Sequence, residues 1–196
     1  DIYVMGPRDT WLYTCSCPDC KKGYAAAGTN WQDHIDTFNS GKGSEIYYAF
    51  LNKVQAAIDQ SNPGKHIASF NYMDYVAYPK TLTVNTNIYC GFAECFGSGT
   101  DPVMVKRMMD FYEPWRTKMP GRNQICIWRY DGWDWEFSLM RGGACFPKWY
   151  PAHLARTLRM YAKDGARGLF YCGINNYIDG WLDYKLLDDP ELDLDA

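Results

Sequence analysis

Carboxylates and aromatic rings recur together along this chain at places where apolar runs end. Met5-Gly6-Pro7-Arg8-Asp9, Asn71-Tyr72-Met73-Asp74, Cys90-Gly91-Phe92-Ala93-Glu94-Cys95, Trp128-Arg129-Tyr130-Asp131-Gly132-Trp133-Asp134-Trp135-Glu136 and Tyr171-Cys172-Gly173-Ile174-Asn175-Asn176 are the five instances. Sugar chemistry uses such a set: one carboxyl protonates the leaving oxygen, and a second acts as base, nucleophile or charge stabiliser. Ring faces stack on the pyranose. The chain neighbours of Glu94 are small or apolar, an environment that favours the protonated carboxyl and suits a general acid. Asp9 and Asp131 are the other carboxylate candidates. Each also has an ordinary reading as a helix cap or a solvated loop charge. The Trp128 to Trp135 run interleaves three tryptophans and a tyrosine with Asp, which suits a ring platform better than a core strand.

Cys15-Ser16-Cys17-Pro18-Asp19-Cys20 is the most compact motif. Thiols spaced C-x-C-x-x-C hold structural zinc if a fourth ligand arrives, with His34 or a distant Cys as candidates, or two of them enter a disulfide in an oxidising compartment. The histidines His34, His66 and His153 fit no catalytic metal spacing, so no other cofactor is expected. A nucleophilic Cys95 or Cys172 would need a histidine that the sequence does not supply nearby.

Three stretches that would position these residues repeat helix, glycine turn, strand. Tyr47, Phe50, Leu51, Val54, Ala57 and Ile58 keep helical spacing behind a Ser44 cap, with Glu45 in the first turn and Pro63-Gly64 as the stop. His66 to Tyr72 reads as the following strand. Met104, Met108, Phe111, Tyr112 and Trp115 share a helix face opening at Asp101-Pro102, and Gln124 to Trp128 is the strand after Pro120-Gly121. Leu154, Leu158 and Tyr161 form the third stripe, with Gly165 as stop and Gly168 to Cys172 as strand. Ile2 to Met5 and Leu82 to Cys90 are also strand-like. About five parallel strands alternating with helices make an α/β fold. No Gly-x-Gly-x-x-Gly or phosphate-loop pattern marks a nucleotide fold. Part of a (β/α)8 barrel fits better, and such barrels carry their chemistry at the C-terminal strand ends.

Composition sets the bounds. The 196 residues are 47% hydrophobic and 22% charged with net charge -3, so the chain is globular, and its scattered Lys and Arg lack the basic footprint of a nucleic-acid binder. No stretch reaches the ~20 apolar residues of a membrane span. Aromatics make up 17%, including 8 Trp and 16 Tyr, more than a core of this size needs, which leaves rings for a binding surface. The start at Asp1 is read as a mature, trimmed or incomplete chain.

Gly6-Pro7-Arg8-Asp9, the cysteine cluster, Phe92-Ala93-Glu94-Cys95, Ile127-Trp128-Arg129-Tyr130-Asp131 and Trp181-Leu182-Asp183-Tyr184-Lys185-Leu186-Leu187 before Asp189-Pro190 together carry a resemblance. The chain resembles, along nearly its whole length, a bacterial family of glycoside-hydrolase-like barrels long described only as a domain of unknown function. Some of its members act as endo-β-N-acetylglucosaminidases, and the barrel is similar to those of α-glucuronidases and hexosaminidases. The resemblance implies that residues 1–196 form a single partial domain, the C-terminal half of a (β/α)8 TIM barrel. The missing N-terminal half or another chain would then be its partner. It also implies catalytic roles for Asp9, Glu94 and Asp131, although this chain has Arg8-Asp9-Thr10 where many members carry Asn-Asp-Gly. The expected activity is hydrolysis of a β-linked, N-acetylated or acidic glycan, with Glu94 as general acid and Asp131 or Asp9 as its partner. Arg8, Tyr72, Trp128, Tyr130, Trp133 and Asn175 would orient the sugar, in an extracellular or periplasmic setting. A non-catalytic carbohydrate-binding barrel and a thiol-zinc interaction module are the alternatives.

Overall fold

The computed structural model describes residues 1–6, 15–26, 41, 43–94, 102–119, 124–129, 151–171 and 177–194. Within them one sheet contains β1 (Ile2–Val4), β2 (His66–Asn71), β3 (Ile88–Glu94), β4 (Ile125–Arg129) and β5 (Gly168–Tyr171). Helices α1 (Pro18–Ala26), α2 (Ser44–Ser61), α3 (Pro102–Lys118), α4 (Pro151–Lys163) and α5 (Tyr177–Asp188) alternate with the strands. Every adjacent pair of strands is parallel, and the spatial order follows the chain order. That order decides the architecture. Right-handed crossovers that always step in one direction place their helices on one face of the sheet, whereas a doubly wound sheet reverses direction at a switch point. The chain is therefore an α/β half-barrel.

Register identifies the helix-covered face. Ile67, Ile88, Cys90, Phe92, Ile125 and Ile127 alternate onto it and pack with Tyr48 and Leu51 of α2, Met108, Tyr112 and Trp115 of α3, and Tyr161 of α4. Trp115 is fully buried and donates its indole N–H to the Val76 carbonyl at 2.7 Å, so its one polar atom is satisfied inside the core. A smaller cluster joins Leu154, Ala155 and Leu158 of α4 to Leu182 and Leu186 of α5. No helix among the described residues is long and apolar enough to cross a membrane.

The punctuation read from the sequence holds at Gly64 and Gly165, which adopt φ of 80° and 76° and end α2 and α4 in a conformation other residues resist. Three expectations are corrected. Ser44 is the first residue of α2 and makes no capping bond, because Gly43 occupies the cap position. Its neighbour Glu45 is buried, accepts the Lys80 and Thr81 amides and the Thr81 hydroxyl, and so ties α2 to the loop that carries Tyr78 and Val84 into the core. Phe50 is 51% exposed, since α2 buries the stripe Tyr48, Leu51 and Gln55 instead. Finally, Leu82 to Asn87 is a loop and the strand starts at Ile88. Asn52 receives the Asn85 amide at 2.9 Å and donates to the Thr83 carbonyl at 2.8 Å, while the Asn87 amide bonds the Asn85 side chain. Asparagine side chains here take the backbone partners a strand would need.

Candidate functional site

The second face of the sheet, the concave side of the half-barrel, gathers rings. Alternation places Phe70 of β2, Gly91 and Ala93 of β3, Trp128 of β4 and Phe170 of β5 there. Toward its C-terminal end the central strand contributes only Gly91 and Ala93 to this face, so rings from the strands on either side meet above it. Phe70 and Trp128 have centroids 4.6 Å apart, although strands two apart in a sheet are separated by roughly 10 Å. Phe170 lies 6.2 Å from Phe70 and 6.0 Å from Trp128, and Tyr72, just past the end of β2, lies 5.2 Å from Trp128. Gly91 is a condition of this arrangement. A Cβ there would stand 3.0 Å from Cδ1 of Phe70. The cluster sits at the C-terminal ends of the strands, and Phe170 is 52% exposed. A half-exposed, tilted set of rings of this kind offers apolar faces on which a flat, CH-rich ligand can stack.

Glu94 does not join it. As the last residue of β3 it pairs in register with Arg129 and points to the helix layer, not toward the rings. Its Oε2 lies 3.5 Å from Nε of Arg129, whose Nη1 lies 3.3 Å from Oδ1 of Asp183 on α5. The three side chains are 10%, 7% and 1% exposed, and the Tyr161 hydroxyl of α4 meets the Glu94 carboxylate. The surroundings of Glu94 are therefore ionic, not the apolar pocket its chain neighbours suggest. One guanidinium thus bridges two carboxylates. This arrangement ties the ends of β3, β4 and α5 together.

Beside this network, His153 in the first turn of α4 is pushed down to about 4 by burial and by the nearby Arg156 and Arg129 cations, so it is neutral at pH 7. His66 lies edge-on to Tyr89, 5.2 Å away. On the helix face of β2 and β3, Tyr48 donates to Oδ1 of Asn71 and approaches Sγ of Cys90 to 3.9 Å. Complete burial pushes the Cys90 thiol up to about 12. The sulfurs of Cys15, Cys17 and Cys20 lie within 4.8 Å of one another at the start of α1, the one group of metal-ligating side chains of this size among the described residues.

Of the residues singled out from sequence, Tyr72 and Trp128 are brought together and Glu94 is set apart from them. Asp9, Asp131, Arg8, Tyr130, Trp133, Asn175, Cys95, Cys172 and His34 lie outside the described residues. Sequence reasoning missed Phe70, Phe170, Gly91 and the Arg129–Asp183 contact. The signal available for the first three was strict alternation, which yields the right face only when each strand's end is placed to within one residue.

Among the comparisons with known proteins, a family model described as Domain of unknown function (DUF4838) matches residues 2–196. No curated protein and no solved structure matches the chain.

Proposed function

We propose that this chain, which belongs to the DUF4838 family, is a glycoside-hydrolase-type barrel that binds a β-linked, N-acetylated or acidic glycan on its concave face. The observation that carries the reading is the ring cluster of Phe70, Tyr72, Trp128 and Phe170 at the C-terminal strand ends, the rim on which barrels of this class place their chemistry. Glycan recognition uses tilted aromatic faces of this kind, and the half-exposed Phe170 leaves such a face accessible.

In this reading the reacting carboxylates are Asp131, two residues after β4, and Asp9, beyond β1. Glu94 is a positioning residue: through Arg129 it holds the C-terminal end of β4. One carboxyl protonates the glycosidic oxygen, and the other either attacks the anomeric carbon or activates a water molecule there. A second reading, glycan binding without hydrolysis, is favoured by one observation: Glu94 is engaged by Arg129 on the opposite face from the rings.

The test is to incubate the protein with N-glycans, chito-oligosaccharides and uronic-acid-containing oligosaccharides and to follow released reducing ends by mass spectrometry. Hydrolysis requires release that falls by about two to three orders of magnitude in both Asp131→Asn and Asp9→Asn while binding persists. Binding without release in the parent protein selects the non-catalytic reading. Absence of binding to any of these glycans overturns both.

A further inference from the structure

We propose that the turn Cys15-Ser16-Cys17-Pro18-Asp19-Cys20 is a thiolate site for one thiophilic divalent cation, with zinc the best match to its donors. Cys15, Cys17 and Cys20 supply three ligands, and an exchangeable donor fills the fourth position. In a tetrahedral thiolate site with Zn–S of about 2.3 Å, the sulfurs stand roughly 3.8 Å apart. The three Sγ atoms already lie within 4.8 Å of each other, so closing on an ion shortens each separation by about 1 Å at most.

The backbone holds two of the three ligands. Cys17 precedes the first residue of α1, and its carbonyl accepts the first helical bond from the Lys21 amide at 3.0 Å. Pro18 at the first helical position has no N–H to satisfy and a fixed φ suited to a helix start. The Cys20 amide then points at Sγ of Cys17 from 3.5 Å, a peptide N–H directed at the sulfur as in metal-thiolate turns. On the third helical residue, the Cys20 side chain leans back toward the same helix end. Three thiolates and a dication leave a net charge of about -1, which Lys21 and Lys22 in the following turn offset.

Neither packing nor a disulfide accounts for the trio. Cysteines that serve as small core residues are buried, as Cys90 is, whereas Cys15 and Cys17 are exposed and Cys20 is half-buried. All three are free thiols, and a single disulfide would strand the third member. An odd, mutually close, solvent-reachable set of sulfurs is what a tridentate site requires. Its consequence for the fold lies in α1, whose Tyr24 is buried and whose Gly23 comes so close to Ile46 of α2 that a Cβ would meet that side chain at 3.2 Å. An ion at the first turn of α1 would fix the helix in this packing.

Cobalt(II) titration of the whole reduced protein tests this. The expected result is a sulfur-to-cobalt charge-transfer band with intense visible d–d bands, saturating at one ion per chain and abolished by an equivalent of zinc. The spectrum should be lost in the Cys15→Ser/Cys17→Ser/Cys20→Ser variant, whose circular dichroism should match the parent, and retained in Cys90→Ala/Cys126→Ala. Failure of the fully reduced parent to develop the charge-transfer band overturns the assignment, as does a band that survives in the triple-serine variant.

Discussion

Trp128 and Glu94 belong to the same pair of strands yet face opposite ways: Trp128 stands in register with Ala93 on the concave side, while Glu94 stands in register with Arg129 on the helix side. A single step along the ladder separates a ring platform from a buried ionic network. The two can therefore be altered independently, and they should fail differently.

Arg129→Met should be strongly destabilising. It leaves the carboxylates of Glu94 and Asp183 buried without their shared cation, and removing one partner of a buried ionic set costs about 3–5 kcal/mol. Adding Glu94→Gln and Asp183→Asn should restore most of that loss, because the uncompensated charges go with it. Urea denaturation of the single and triple variants measures both; a single variant within about 1 kcal/mol of the parent would show that the network holds nothing.

Gly91→Val should act on the rings. The added side chain meets Phe70 at the position where a Cβ alone would be 3.0 Å away, and overpacking of this kind costs about 1–3 kcal/mol. Phe70 must swing off Trp128, so glycan affinity should fall about tenfold, with Arg129-dependent stability unchanged. Titration calorimetry beside thermal melts separates the two effects.

Acid should destabilise the fold partly through His153. Its folded-state value of about 4 lies below the ordinary 6.5, so the unfolded chain takes up the proton first. The stabilisation is complete above pH ~6.5 and drains away as pH falls toward 4, by something on the order of 2 kcal/mol. His153→Gln should flatten that part of the stability-versus-pH curve; an unchanged slope would show that His153 is not the group responsible.

Thiol reactivity should rank by environment. In the reduced, metal-free protein Cys17, exposed and lowered by the Cys20 amide and the Cys15 and Cys20 thiols, should be alkylated before Cys20, which its contact with Cys15 and burial raise to about 12. Cys90, fully buried, should react only on unfolding. Peptide mapping after timed iodoacetamide exposure gives the order, and modification of Cys90 ahead of Cys17 would reverse it.

Much of the fold was legible because its signals are local. Pro63-Gly64 and Gly165 stop helices wherever they occur, and the stripes through Leu51, Trp115 and Leu158 repeat at helical spacing, so the alternation of helix and strand could be written down directly. The candidate site was less legible because it depends on one-residue precision and on distant partners. Placing the third strand at Leu82 to Cys90 leaves Glu94 in a loop, whereas the observed Ile88–Glu94 places it in the ladder with its direction fixed by register. Its neighbours along the chain are apolar, but its neighbours in space are Arg129 and Tyr161, which no local pattern connects to it. The helix α5 escaped notice because it interleaves buried Leu182 and Leu186 with exposed Ile178, Trp181 and Tyr184, leaving no clean stripe to read.

Sugar binding by the concave ring cluster is tested by calorimetric titration of the parent and of Trp128→Ala with whichever of the N-glycans, chito-oligosaccharides or uronic-acid oligosaccharides the parent binds. Removal of a tryptophan at the centre of a binding surface costs about 2 kcal/mol or more, so affinity should fall roughly 30-fold while the melting transition of the helix-side core is kept. Equal affinities in the two proteins would show that the ring cluster is not where sugar binds.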